Sequence, residues 1–373
     1  MTRRAAHLSP TTTELLHPKP RARTIVDPMS KDNAKPPARR DLPRQVYRKP
    51  WGQGYTYRDE NGRTLTNKPW RRWIKSLVIP PAWESVEITL DTEARVFASG
   101  RDSAGRKQYV YNPAWRSARE AAKFDRLLDF ARRLPHMRRV TGQHLRRKAH
   151  SREQVLACMV RLIDTAYFRP GSARYAAENA SYGLTTMRSK HLSVDGDTLI
   201  FDYQGKSGQT QHREVADQRL AEIVADLDEL PGYEIFKYYD DNGRRVDVDS
   251  ADLNDYIHEV MGETFSAKDF RTWAGTSLAA LALDDLGPVD EENSRKNNVV
   301  DAVKRVAERL GNTPAIARES YIHPQVIAHY LDGRTLRHFA ELVEDQLDRE
   351  AWAGPEERAV LAMLDERLTE QAR

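Results

Sequence analysis

The chain has a single cysteine, Cys158. That excludes an intramolecular disulfide framework and a thiolate-rich metal site. Cys158 lies in an apolar helical pattern, where buried filler is expected rather than a reactive thiol. No apolar run approaches the ~20 residues needed to cross a bilayer. The start, Met1-Thr2-Arg3-Arg4, lacks the apolar core of a signal peptide. A cytoplasmic protein is expected, nucleoid-associated if bacterial. The histidines are scattered, with no metal-type pair beside a glutamate on one helix; the spacing of His323 and His329 suits one helical face poorly. No acidic cluster is arranged for two catalytic metals. Gly205-Lys206-Ser207 has the ending of a nucleotide-binding phosphate loop, but Ile200 stands where that loop needs its first glycine. A strand pattern also follows where a helix is required, which argues against ATP hydrolysis by this route.

What the chain does have is charge. Charged residues make up 31%, above the usual value of about 25%. The net charge of +4 conceals an asymmetry: residues 1–150 hold about 33 Lys+Arg against 14 Asp+Glu, and the remainder about 26 against 41. A basic N-terminal half fits a polyanion such as nucleic acid, or an acidic membrane surface. A solvated basic face is the plain alternative. The length of 373 residues fits two domains with tails.

Residues 1–45 are rich in Pro, Arg and Lys and read as a disordered basic tail, either binding nucleic acid weakly through phosphate charge or inert. Structure is expected from about Tyr47. Tyr55-Thr56-Tyr57 and Thr64-Leu65-Thr66 flank Asp59-Glu60-Asn61-Gly62, a hairpin signal. Strand-like runs follow at Val86–Leu90 and Arg95–Ala98. A glycine-bounded turn then precedes a basic strand, Arg106-Lys107-Gln108-Tyr109-Val110-Tyr111. Arg106 and Lys107 can hold phosphates, and Gln108 can read an adenine edge. Alternation puts Tyr109 and Tyr111 on one face; an edge hairpin with a half-buried aromatic pair fits equally well. An amphipathic helix is expected over 117–134, capped by Ser117 and ended by Pro135. The basic run from Arg138 to Lys148 reads as a linker. The expected division is therefore a tail at 1–45, a β-rich domain at 46–136, a helical domain at 137–350 and a C-terminal helix at 351–373.

In the second half, Ser151 and Gln154 form a capping box before an apolar helix that stops at Phe168-Arg169-Pro170-Gly171. Thr198–Tyr203 and Thr210–Val215 read as a hairpin with Lys206 at its tip. Helical patterns follow at about 216–228, 251–261, from a cap at Ser266 to Leu283, 295–310, 335–349 and 356–371. Gly311 ends a helix, Thr313 caps a short one, and Pro314 fits its first turn. Tyr321 comes just before the His323-Pro324 break, as nucleophile or as ordinary core. Each cation has two readings as well. Arg169 is a phosphate ligand or a helix C-terminal charge, and Lys206 a proton donor or an exposed turn lysine. Arg271 is a phosphate ligand or a salt-bridge partner of Asp269 or another acid. The guanidinium fork suits phosphate because it donates two hydrogen bonds and stays charged.

Taken in order, Phe168-Arg169-Pro170-Gly171, Gly205-Lys206-Ser207-Gly208, Lys268-Asp269-Phe270-Arg271-Thr272 and Gly311-Asn312-Thr313-Pro314 before Tyr321 closely resemble the type IB DNA topoisomerases of the small poxvirus and bacterial kind. Ser181-Tyr182-Gly183-Leu184-Thr185-Thr186, Lys190-His191 and the Gly100–Tyr111 stretch share the likeness, which covers about residues 47–345. It implies an α+β protein: a small β-rich N-terminal domain followed by a mostly α-helical catalytic domain related to tyrosine recombinases, clamping duplex DNA. It implies Tyr321 as nucleophile, Arg169 and Arg271 as transition-state ligands, Lys206 as general acid, and Gln108, Tyr109 and Tyr111 as DNA contacts. Many family members have histidine where this chain has Asn312, so Asn312 is assigned hydrogen bonding alone, since an amide carries no charge and transfers no proton. The expected partner is double-stranded DNA, bound by a monomer with no metal, nucleotide or other cofactor. The rival readings are a tyrosine recombinase or integrase, and a non-catalytic DNA-binding protein on the same scaffold. Recombinases usually place histidine three residues before the second arginine, where this chain has Lys268.

Overall fold

The structure, a computed structural model, describes residues 42–343 and 354–365. The tail expected at 1–45 falls outside these up to residue 41, as do the far ends expected for the last two helices. The described residues fall into two compact units, divided between Ala118 and Arg119. An N-terminal sheet followed by a helical unit is the α+β order expected.

The first unit is built on five antiparallel strands: β1 (Gln45–Trp51), β2 (Gly54–Arg58), β3 (Glu84–Thr89), β4 (Val96–Arg101) and β5 (Lys107–Tyr111), in the spatial order β2-β1-β3-β4-β5. Helix α1 (Lys68–Ser76) starts at Asn67, whose side chain accepts from Trp70 N at 3.1 Å. It buries Trp70, Trp73 and Ile74 in one core with Val46, Val86, Ile88 and Phe97. The hairpin expected across residues 55–66 is replaced by a different pairing. The Asp59–Gly62 turn forms, but its return reaches only a single bridge, Arg58 to Thr64, and β2 pairs with β1 instead. The physical reason is the nearby start of α1: once Leu65 is buried and Asn67 caps the helix, no chain is left to extend a strand.

The division between the units falls inside α2 (Pro113–Asp125), not at 136/137. The helix expected over 117–134 is two helices, α2 and α3 (Leu127–His144). Pro135 lies within α3 rather than ending it. A proline inside a helix costs about 3 kcal/mol, but the buried stripe Phe130, Ala131, Leu134, Met137 and Thr141 runs straight past it into the second unit's core. The expected linker is thus packed helix. Its Arg138 donates to both carboxylate oxygens of Asp164 (2.8 and 3.0 Å) and both of Glu357 (2.6 and 2.9 Å).

The second unit continues with α4 (Arg152–Ala166), α5 (Ala173–Asn179), a three-stranded sheet of β6 (Leu192–Asp195), β7 (Thr198–Gln204) and β8 (Thr210–Ala216), then α6 (Gln218–Asp228) and a small ribbon of β9 (Lys237–Tyr239) with β10 (Arg245–Asp247). Helices α7 (Ser250–Met261), α8 (Ala267–Leu286), α9 (Glu292–Leu310), α10 (Pro314–Ser320), α11 (Pro324–Leu331), α12 (Leu336–Val343) and α13 (Pro355–Leu364) complete it. Helix α4 is buried on nearly every side from Gln154 to Ile163 and includes the inert, fully buried Cys158. An all-round apolar helix of this kind belongs at the centre of a core. The C-terminal helix is no appendage: Ala359–Leu364 of α13 are buried in the same core, and Glu357 accepts from Trp273 Nε1 at 3.2 Å.

Replacing Arg138 by Met leaves Asp164, 5% exposed, without a counter-charge. A loss of about 3 kcal/mol or more is expected, the range for a broken buried pair. Urea unfolding should show it as a lowered midpoint at an unchanged slope.

Candidate active site

Arg271 sits in the second turn of α8, which begins at Ser266. There Asp269 accepts from both the backbone N (2.8 Å) and Oγ (2.9 Å) of Ser266. Asp269 is thereby occupied, and Arg271 does not pair with it. Instead Arg271, 3% exposed, donates to Tyr167 O at 2.5 Å and to Leu310 O at 2.7 Å. These carbonyls mark the ends of α4 and α9, where the helix dipole favours a cation. Its Nε is buried without an acceptor.

Tyr167 ends α4 in the left-handed conformation (φ 61°), which turns Phe168 into the core and Arg169 toward the α9 terminus. Gly311 takes the left-handed conformation there (φ 61°), and Asn312 N returns to Ala307 O at 2.8 Å, a glycine-type helix ending. Arg169 Nη2 donates to Gly311 O (3.0 Å) and Asn312 Oδ1 (2.5 Å). With Oδ1 engaged, Asn312 presents Nδ2 as a buried donor lacking an acceptor. Burial and then the charge of Arg271 lower the Arg169 pKa from its ordinary value, which is so high that the group stays a cation. Behind Arg169, Leu184 N donates to its carbonyl at 2.9 Å. The approach requires Gly183, where a Cβ would lie 2.6 Å from Gly171 Cα.

Tyr321 follows α10, whose Thr313 cap accepts from Ile316 N at 3.3 Å. Its ring lies under Arg271, with Cζ 5.2 Å from the centroid. Burial opposes ionisation of the phenol. Arg271, then Arg169 and Lys268, outweigh it and hold the pKa below its ordinary value. The backbone of Tyr321 is seated against α8: Thr276 Oγ1 donates to Tyr321 O at 3.2 Å and accepts from His323 N at 3.1 Å. A Cβ on Gly275 would fall 2.7 Å from Tyr321 O. On another side, Lys123 Nζ of α2 donates to Ser320 O at 2.5 Å, and the Phe124 ring meets His323 edge-on at 5.0 Å.

Four of the five expected residues, Arg169, Arg271, Asn312 and Tyr321, therefore converge. Lys206 does not join them: it stands exposed at the β7–β8 tip, in a turn where Ser207 (φ 64°) and Gly208 (φ 70°) are left-handed. The turn is tied back through Tyr182 N, which donates to Gln204 O at 2.8 Å. In the first unit, Tyr109 and Tyr111 are 43% and 42% exposed on one face of β5. Tyr111 stacks on Trp115 (5.7 Å, 19°) and Lys107 Nζ lies 5.6 Å from the Tyr109 centroid. Asp102 holds Arg106 (2.8 Å) and Gln108 (3.0 Å).

Residues 112–343 match the profile of the eukaryotic DNA topoisomerase I catalytic core, and residues 54–102 that of the bacterial DNA topoisomerase IB N-terminal domain. The chain belongs to the type IB DNA topoisomerase family. It is 31% identical to DNA topoisomerase 1B of Acanthamoeba polyphaga mimivirus over 285 residues, 74% of this chain and 84% of that one. With DNA topoisomerase 1B of Vaccinia virus (strain Copenhagen) it shares 26% over 251 residues, 65% and 74% of the two chains. As a topoisomerase the protein is an enzyme that acts on DNA. Among the described residues, no helix is long and apolar enough to cross a membrane.

The seat of Tyr321 was not legible in the sequence. Gly275 carried a signal, an isolated glycine inside a helical pattern, which often marks a close backbone approach. Thr276 and Lys123 carried none, because their role depends on contacts far away in the chain.

Gly275→Ala should push Tyr321 from its seat. Covalent-complex formation is expected to fall by about 10²-fold, the usual cost of ~1 Å misplacement, while duplex binding stays within a few-fold. A gel assay of the complex beside an anisotropy titration separates the two. The His323 pKa is pushed down to about 4, chiefly by burial. An unfolded histidine titrates near 6.5, so between these values the unfolded chain binds more protons and stability falls as pH is lowered. Melting temperatures from pH 7 to pH 4 should drop for the wild type, and the drop should be shallower in His323→Asn, which retains a capping side chain.

Proposed function

We propose that the protein relaxes supercoiled duplex DNA by transient cleavage of one strand. The Tyr321 oxygen attacks a phosphodiester phosphorus, giving its proton to solvent as the new P–O bond forms. The bond from phosphorus to the 5′-oxygen breaks, and that oxygen leaves as a hydroxyl with a proton from Lys206. The product is a 3′-phosphotyrosyl bond and a free 5′-hydroxyl. The strand swivels about its intact partner, and the hydroxyl then attacks the phosphotyrosine to restore the chain. Because the covalent bond stores the energy of the phosphodiester, resealing needs no nucleotide. Charge on the non-bridging oxygens is stabilised by Arg169 and Arg271, and Asn312 Nδ2 adds a neutral hydrogen bond. General-acid help to the leaving group is typically worth about 10²–10⁴-fold.

The observation that carries this reading is the convergence of Arg169, Arg271 and Asn312 on Tyr321, with two buried donors, Arg271 Nε and Asn312 Nδ2, lacking acceptors. A phosphodiester supplies oxygens for both. Lys206 meets the strand from the hairpin tip. In the N-terminal unit, Lys107, Tyr109 and Tyr111 offer a cation and exposed rings to the duplex, with Arg106 and Gln108 beside them, and the two units together clamp the DNA. The enzyme works as a monomer in the cytoplasm, associated with the nucleoid if bacterial.

Supercoiled plasmid should be relaxed by the wild type in EDTA without ATP. Tyr321→Phe should relax none and leave no protein–DNA adduct on denaturation. Failure of the wild type, or activity in the variant, overturns the reading. Joining of two particular sites would identify a recombinase instead.

A further inference from the structure

A cleft of about 730 Å³ opens between β8 and the end of α9, its walls including Gln211, Arg213, Arg305, Glu308, Arg309 and Asn312. Arg213 is its most telling member. It is 9% exposed, and its two bonded nitrogens reach only neutral acceptors, His212 O at 3.1 Å and Gln211 Oε1 at 2.8 Å. Its Nε is buried with no acceptor. Among the described residues, none of Arg213, Arg305 and Arg309 forms an ion pair, and Arg309 lies over the Tyr167 ring, 6.0 Å from its centroid. Burial disfavours the Arg213 cation, and the charges of Arg271 and Arg309 disfavour it further. A buried, unpaired cation is costly. An arginine cannot relieve that cost by losing its proton; an anion entering the cleft can. Glu308, the one acid in the wall, does not balance three arginines.

The position of the cleft says which anion. Gln211, held by Arg213, is wedged between two glycines: a Cβ on Gly205 would lie 2.7 Å from its Cγ, and one on Gly311 would overlap its amide. Gly205 precedes Lys206, and Gly311 precedes Asn312. The cleft therefore shares the Asn312 wall with the site around Tyr321. Arg305 and Arg309, one turn apart and exposed on α9, stand at its mouth.

We propose that this cleft is a second phosphate subsite. It takes a phosphodiester adjacent to the one attacked, on the same strand, with Arg213 as the buried ligand and Arg305 and Arg309 at the entrance. The inference rests on the phosphoryl-transfer reading above and extends it along the strand. It also gives Arg213 and Gln211 a positioning role, since filling the subsite braces the wall between the Lys206 turn and Asn312.

The test uses the full-length protein and duplexes with a single uncharged methylphosphonate linkage on either side of the cleavage point. Single-turnover cleavage by the wild type should fall about tenfold with one of these neighbours neutralised. Arg213→Gln should lose a similar factor on the unmodified duplex and no more on the modified one. Arg309→Ala, altered at an exposed position, should show the same non-additivity in weaker form. Losses that simply multiply in both variants overturn the subsite. Binding is read separately in a Tyr321→Phe background. Removing one phosphate contact should lower the slope of log K against log salt by about 0.9, and an unchanged slope for both arginine variants overturns the proposal. This readout needs no cleavage, so it distinguishes failure of the subsite from failure of the phosphoryl-transfer reading, whose mark is absence of any covalent complex with unmodified DNA. If the cleft serves free phosphate instead, inorganic phosphate will raise the wild-type melting temperature and not that of Arg213→Gln, while the two bind duplex equally; that too overturns the strand assignment.

Discussion

The active site depends on one buried cation bonded to two helix ends. Arg271 crosses from α8 to the last carbonyls of α4 and α9. Charge-assisted hydrogen bonds of this kind are worth about 1.5–3 kcal/mol each, and the two helix dipoles add to them. The chain leaving each helix end carries a further site residue: Arg169 just beyond Tyr167, and Asn312 just beyond Leu310. Arg169 then bonds the Gly311–Asn312 turn and closes the loop of contacts. The Tyr321 ring is held beneath the same guanidinium. Few changes would disturb so many elements at once.

The arrangement is poor for stability taken alone. Arg169, Arg213 and Arg271 are brought together in a poorly solvated region, and each depresses the proton affinity of a neighbour. A fold selected only for stability would place a carboxylate among them, as it does around Arg138. Their acceptors are carbonyls, the side-chain amides of Asn312 and Gln211, and nothing at all for Arg213 Nε and Arg271 Nε. Neutral acceptors hold the guanidinium groups in place without cancelling their charge. That combination, rigid position with uncompensated charge, is what electrostatic preorganisation requires. The same field holds the Tyr321 phenol below its ordinary pKa despite burial.

The local code was readable wherever a structural element was set by neighbours in sequence. The caps at Ser266, Thr313 and Gly311, the β7–β8 hairpin and the apolar α4 follow from side-chain hydrogen bonding, backbone freedom and periodicity within a few residues. It failed where packing overrode those signals. Pro135 sits inside α3 because the stripe around it is buried by partners from elsewhere in the chain. The Asp59–Gly62 turn makes no hairpin because α1 begins too soon after it. The four clustered residues were legible only as an ordered set of motifs, since nothing local in Arg169 or Asn312 announces the other. Lys123 had no signal at all: its role rests on a carbonyl 197 residues away.

The glycines at this site argue that its precision is set by backbone approach rather than by side-chain fit. Gly183 lets one segment lie against the carbonyl of Arg169, and Gly275 lets α8 touch the Tyr321 backbone. In both places a single methyl group would push apart two main chains, and main chains cannot swing aside as flexible side chains do. Lys206 is placed by a different logic, on an exposed hairpin tip with two left-handed residues after it. Groups that bind a phosphate at all stages gain from rigidity, because reorganisation during the reaction would cost rate. A proton donor to one leaving oxygen is needed only when a strand lies in place. The fold therefore fixes its charges through helix ends and glycine contacts and leaves Lys206, the proposed proton donor, on the one element of the set that projects into solvent.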